Sequence, residues 1–318
     1  MTKVLLAGAQ RFEPTIGPAL AALGVAGRVA LVTAGWQERE AEDEELAAHL
    51  GGDTVNLRLH ERADQVFAAD AGLRAAHRKR QRVLRHKQDF YRIRLEHELE
   101  ANHVIRQRTA PAEILAEEER TSTLAIRILD DFHLGQCARI HREFDEAHRP
   151  LERPHVARHR EEIAAALEGT VALAIAGGHV ASLLNRLELF GIAELLRDQV
   201  VVAWSAGAMA IATRVILFHD APPQGPGASE ILDRGLGIVR GALPFPQPET
   251  RLRLGDPERV GVLARRFAPS LCLAMPARST LAIEGQRVLA TEGVSVLGED
   301  GSVSPLAADT PLPSTERA

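Results

Sequence analysis

Short, uninterrupted apolar runs alternate with amphipathic helical stretches at both ends of this chain, and that alternation restricts the fold more than any other feature. "KVLLAGA", "GRVALVTAGW" and "DTVNLRLH" read as buried strands. Between them, "PTIGPALAALGV" and "EREAEDEELAAHLGG" have helical spacing, with Gly24 at a C-cap position of the first. Strands without polar alternation are covered on both faces, and the helices between them make the crossovers that parallel strands need. The pattern predicts an α/β fold: a parallel-sheet, three-layer sandwich. It resumes after residue 150 with a helix, "ERPHVARHREEIAAALEG", then a strand, "TVALAIAGG", a helix, "HVASLLNRLELFG", and a strand, "QVVVAWS".

Between these halves the strand signal vanishes. Two long helical segments fill the gap, about 62–108 and 111–148, separated at "TAP", where proline is tolerated as the first helical residue. On the second segment Ile126, Leu129, His133, Cys137, Ile140, Phe144 and Ala147 recur at intervals of three or four, an apolar stripe. The expected organisation is residues 1–60 as the first part of the α/β domain, 61–150 as an inserted helical hairpin, 151–305 as the second part, and 306–318 as a disordered tail. A two-helix hairpin buries little by itself, so the stripe is expected to pair with a second copy, giving a homodimer or higher oligomer.

Composition excludes several classes. Only two cysteines, Cys137 and Cys272, are present, which gives neither a disulfide framework nor zinc spacing. No run approaches the roughly 20 apolar residues needed to span a bilayer, and a cytoplasmic protein is expected. The formal net charge of -5 argues against wholesale nucleic-acid binding. Locally, Arg74–Arg94 holds nine Lys and Arg residues against one acid, Asp89. A solvated helix face is the ordinary reading of such a run, and a phosphate or acidic partner the sharper one. Glu100/His103, Asp130/His133 and Asp145/His148 have a spacing used by di-iron bundles, but those need four helices. No metal and no cofactor is expected.

The chemistry concentrates in "VVVAWSAGAMAIAT". A serine at the tip of an apolar strand, followed by Ala206, Gly207 and Ala208, fits a sharp strand-to-helix turn that presents a nucleophile. At such a turn the Ala206 N–H faces a developing oxyanion. A second donor is available where the preceding strand ends in Gly177 and Gly178, with no side chains to obstruct approach. A plain tight turn needs small residues for the same steric reason.

"WSAGA", preceded by an apolar strand and, upstream, by "AGGHVASLLNRL", resembles the dipeptidase E (alpha-aspartyl dipeptidase)/cyanophycinase family of serine peptidases. "LAMPARSTLAIEGQRVLA" is similar to that family's closing strands, whereas residues 61–150 lie outside its pattern. The resemblance implies a class I glutamine-amidotransferase-like fold and a small peptide or amide substrate. It also implies Ser205 as nucleophile, Ala206 with Gly177 and Gly178 as oxyanion hole, and Asp220 as the acidic site residue. His179 and Trp204 are the candidate substrate contacts.

Three positions depart from the family. Ala203 replaces a glycine and His179 an Asn or Asp. The family's catalytic histidine falls in a segment that here reads "GALPFPQPETRLRL", where Pro244 precedes Phe245. His219 is the last histidine in the chain, so the base for Ser205 is His219, beside Asp220, or His179, or a carboxylate, or there is none. A serine hydrolase with a rearranged or degenerate triad and little turnover is expected. The alternative is an inactive relative that binds a ligand or assembles through its helices.

Overall fold

The computed structural model describes residues 3–218 and 229–314. The first strands and helices are β1 (Lys3–Ala7), α1 (Ile16–Ala22), β2 (Val29–Val32), α2 (Glu44–His49) and β3 (Thr54–Asn56). The insertion and its exit comprise α3 (Leu59–Ala69), α4 (Ala71–Arg106), α5 (Ala112–His148) and α6 (Pro154–Leu167). Next come β4 (Ala172–Ile175), α7 (Val180–Leu189), α8 (Ile192–Leu195), β5 (Val200–Trp204) and α9 (Ala206–Ile211). The remainder contains β6 (Arg214–Leu217), β7 (Glu230–Arg234), β8 (Ala242–Pro246), α10 (Pro248–Arg251) and α11 (Pro257–Phe267). It closes with β9 (Leu271–Met275), β10 (Thr280–Glu284), β11 (Arg287–Glu292), β12 (Ser295–Leu297) and β13 (Val303–Pro305).

Among the described residues the central sheet has seven strands in the order β11-β10-β1-β5-β4-β2-β3. The five from β1 to β3 are mutually parallel, and β10 and β11 add an antiparallel edge. Alternate residues of each strand serve opposite faces, yet both faces are apolar. Leu5, Leu31, Ala174 and Val202 pack with Ile16, Leu20 and Leu46 of α1 and α2. Leu6, Ala30, Leu173 and Val201 pack with residues of α3, α6 and α7. Coverage on both faces explains the uninterrupted apolar strands. A second sheet, β13-β12-β9-β8, places β8 at an edge, where Pro244 and Pro246 cost no interior ladder bond.

The insertion is helical as expected, but its first segment is broken. Asp70 ends α3 and caps α4, its carboxylate accepting the Leu73 N–H at 2.8 Å. The apolar stripe of α5 is not a free surface, which corrects the expectation that it pairs with a second copy. Ile126 and Leu129 lie in one buried cluster with Ile216, Ile231, Phe245 and Phe267, and Phe144 belongs to the main core. His133, Cys137 and Ile140 are also buried, while Ala147 is exposed.

Polar contacts fix this docking. Arg266, 2% exposed, gives Asp130, 0% exposed, two hydrogen bonds of 2.6 and 2.8 Å, and the Tyr91 hydroxyl donates to the same carboxylate at 2.7 Å. His141 meets Asp233 of β7 at 2.7 Å. Asp130 is therefore engaged with an arginine rather than with His133, whose ring stacks on Tyr91 with centroids 4.1 Å apart.

The expectation of disorder from residue 306 fails over 306–314. Leu306 and Leu312 are buried, and the Leu312 N–H bonds to the Gln286 carbonyl at 2.8 Å. No helix among the described residues is long and apolar enough to cross a membrane.

Candidate functional site

The register of the parallel strands brings the two small-residue turns together. Ile175 of β4 pairs with Ala203 of β5, so Ala176–Gly178 and Trp204–Ala206 leave the sheet side by side at its carboxyl edge. Gly177 has to be glycine there: a Cβ on it would lie 2.8 Å from the Ser205 Cβ and 3.5 Å from the Ala206 nitrogen. Gly207 has no room either, because its Cβ would approach the Ile175 carbonyl oxygen to 2.2 Å. Small residues at these positions let α9 start directly on top of β4.

Ser205 links β5 to α9 at φ 50° and ψ -123°. A non-glycine residue there is strained by roughly 1–3 kcal/mol and persists only when its surroundings hold it. The side chain is partly exposed and makes no capping bond to its helix. Ala206 is the first helical residue, so its N–H has no partner within the helix.

A third loop completes the edge. The turn after β2 packs Gly35 against Gly177 and Gly178: a Cβ on Gly35 would lie 2.5 Å from the Gly177 carbonyl oxygen. The Gly35 carbonyl accepts the His179 N–H at 2.8 Å. Two residues on, Gln37 adopts φ 57° and ψ -123°, nearly the conformation of Ser205. Sequence reasoning missed this loop. Its only signal is the small-residue pair Ala34–Gly35 at the end of an apolar strand.

Beside the loop, Gln37, Glu40, Arg58 and His60 line a cavity of about 540 Å³. Glu40 is 3% exposed and accepts the N–H groups of His60 and Glu61 at 3.0 and 2.9 Å. Burial raises its carboxyl above the usual range, and these N–H bonds oppose the rise.

His179 caps α7, its Nδ1 accepting the Ser182 N–H at 3.1 Å. In a neutral imidazole that bond puts the proton on Nε2, which is then a donor. Trp204, 6% exposed, packs with Ile16 and Leu20 beneath the turn, away from open solvent. His219 and Asp220 lie outside the described residues. The segment that would carry the family's histidine is β8, with Phe245 fully buried against Phe218 and Phe267.

No protein-family model matches this chain, and no curated protein does. Among solved structures it is similar to a peptidase from an acI-B1 Actinobacterium, at 12% identity and a TM-score of 0.46, over 94% of this chain and 91% of that one.

Proposed function

We propose that the protein is a serine hydrolase of the peptidase type, acting on amide bonds of small Asp-containing peptides or related polymers. The observation that carries this reading is Ser205 itself: strained, without a capping bond, and braced against Gly177 at the sheet's carboxyl edge. A turn needed only for packing would take glycine at that position without strain. In the proposed mechanism Ser205 Oγ attacks the amide carbonyl. The Ala206 N–H and the backbone at Gly177–Gly178 receive the oxyanion.

The base is assigned by elimination between two histidines. His179 Nε2 carries a proton while Nδ1 caps α7, so it suits donating to a substrate carbonyl or carboxylate rather than accepting from Ser205. His219 is left as the base, with Asp220 as its orienting carboxylate. A serine hydroxyl without an adjacent base is a weak nucleophile, so turnover depends on that histidine. Hydrolysis of Asp-containing dipeptides tests the assignment. Ser205→Ala should abolish it, His219→Ala should lower it by roughly 10²–10⁴, and His179→Ala should mainly raise KM. Turnover that survives Ser205→Ala removes the reading altogether.

A second reading concerns assembly. The buried stripe cannot pair copies, but the outer face of the hairpin carries Phe90 and Ile93 of α4 and Leu124, Ile128 and Phe132 of α5, each more than half exposed. Arg94 lies 5.6 Å over the Phe132 ring and joins the two helices on that side. We propose that a second copy packs there, hairpin against hairpin, since apolar patches of this kind on soluble proteins mark interaction sites.

A further inference from the structure

A second cavity, of about 340 Å³, lies between α3, the start of α4 and α7, and its lining is cationic. Arg74 and Arg78 sit one helical turn apart on α4, with His77 between them, and Arg186 approaches from α7. The only carboxylate in the lining is Asp64, whose side chain is 65% exposed and whose distance to Arg186 is 3.9 Å. Three guanidinium groups thus face one solvated acid.

Two polar atoms of the lining are buried without partners among the described residues. His77 is 8% exposed, and its Nε2 has no hydrogen-bond partner among the described residues. The Arg186 Nε is also buried and unpaired, and its guanidinium lies 5.6 Å over the Phe67 ring. Buried donors left unpaired each cost on the order of 1–3 kcal/mol, so their presence at the wall of a cavity is informative. The guanidinium groups of Arg74 and Arg78 have neither an ion pair nor a hydrogen bond among the described residues. Burial, reinforced by Arg80 and Arg186 and opposed by a hydrogen bond with Asn185, holds the His77 imidazole neutral, with its pKa pushed down to about 3. A neutral ring protonated on Nε2 is a donor that adds no further repulsion to the site.

We propose that this cavity binds a phosphorylated small molecule, its phosphoryl oxygens held by Arg74, Arg78 and Arg186 with His77 Nε2–H donating, and its organic part laid against Phe67. A dianionic phosphoryl group matches the excess of cationic groups, and arginine forks suit its oxygens. Phe67, whose ring centroid is 4.9 Å from that of His77, supplies a flat apolar wall. The basic run of α4 then has a local use: the chain's topology sets two of its arginines opposite Arg186, more than a hundred residues away in sequence.

Calorimetric titration of the full chain with phenyl phosphate and with inorganic phosphate tests this, with sodium sulfate at equal ionic strength as control. Phenyl phosphate should bind one per chain, at least about tenfold tighter than inorganic phosphate and more tightly than sulfate. The double substitution R74Q/R78Q should weaken it by at least about tenfold. Both residues are exposed, so the variant should keep the wild-type melting temperature without ligand. Absence of saturable binding at about 10 mM phenyl phosphate, or binding unchanged in R74Q/R78Q, overturns the site. Inorganic phosphate binding as tightly as phenyl phosphate overturns the role given to Phe67.

Discussion

Gly177 and Ser205 lie in the turns that follow different strands, β4 and β5, yet they approach closely: a Cβ on Gly177 would stand 2.8 Å from the Cβ of Ser205. Gly177→Ala therefore forces one turn away from the other. Urea denaturation should show a loss of about 1–3 kcal/mol, the usual cost of overpacking. Gly135 is the control. It lies within α5, with nothing within 4 Å of a Cβ, and Gly135→Ala should stabilise by up to about 1 kcal/mol. Equal effects at the two glycines would contradict the close approach.

The Asp130–Arg266 pair fastens the hairpin to the α/β body from inside. Removing one member leaves a buried, unpaired charge. Asp130→Ala should lower stability by about 3–5 kcal/mol. Limited proteolysis should then cut α4 or α5 before the central sheet. Deletion of residues 71–148 should yield an aggregating chain, since it uncovers Ile216, Ile231 and Phe245. A soluble, well-folded deletion variant would show that the insertion is an appendage.

His77 gives a pH dependence of definite sign. Its folded proton affinity lies far below the ordinary value, so acid favours the unfolded chain, where the ring protonates freely. The stability attached to the neutral ring is complete above about pH 6.5 and declines as pH falls toward about 3. His77→Gln removes this titration, while Arg80, Arg186 and His141 remain around the site. The stability advantage of wild type over His77→Gln should therefore shrink by roughly 2 kcal/mol between pH 7 and pH 5. An advantage independent of pH would mean that the ring is solvated.

The outer face of the hairpin predicts an oligomer. Ile128→Glu, at an exposed position in mid-helix, should leave the melting temperature of each chain nearly unchanged. Light scattering should show it converting a dimer to a monomer. A wild-type protein that is monomeric at high concentration contradicts the proposed pairing.

Much of this architecture is legible in the residues because it is local. Apolar runs of four or five residues and the Gly and Ala residues at their ends announce β2, β4 and β5, and the lack of any strand signal across α4 and α5 announces the insertion. The stripe on α5 correctly signals burial, but periodicity says nothing about the partner. The covering groups are Phe245, Phe267 and Arg266, over a hundred residues downstream. The break at Asp70 was hidden because one capping carboxylate and a single non-helical residue interrupt an otherwise continuous helical pattern. At the site, Ser205, Gly177 and Gly178 stand out by type. Gly35 and Gln37 do not, because their importance comes from the packing of a third loop. His219 stands out only by its place in the chain order and Asp220 only through the family resemblance, and both lie outside the described residues.

The central claim is that Ser205 is an activated nucleophile, and covalent labelling with a fluorophosphonate followed by mass mapping of the adduct tests it most directly. The account predicts one adduct per chain, on Ser205, absent in Ser205→Ala, strongly slowed in His219→Ala and retained in His179→Ala. An unlabelled wild-type protein, or an adduct on any other residue, would mean that the strained turn holds the backbone together and performs no chemistry.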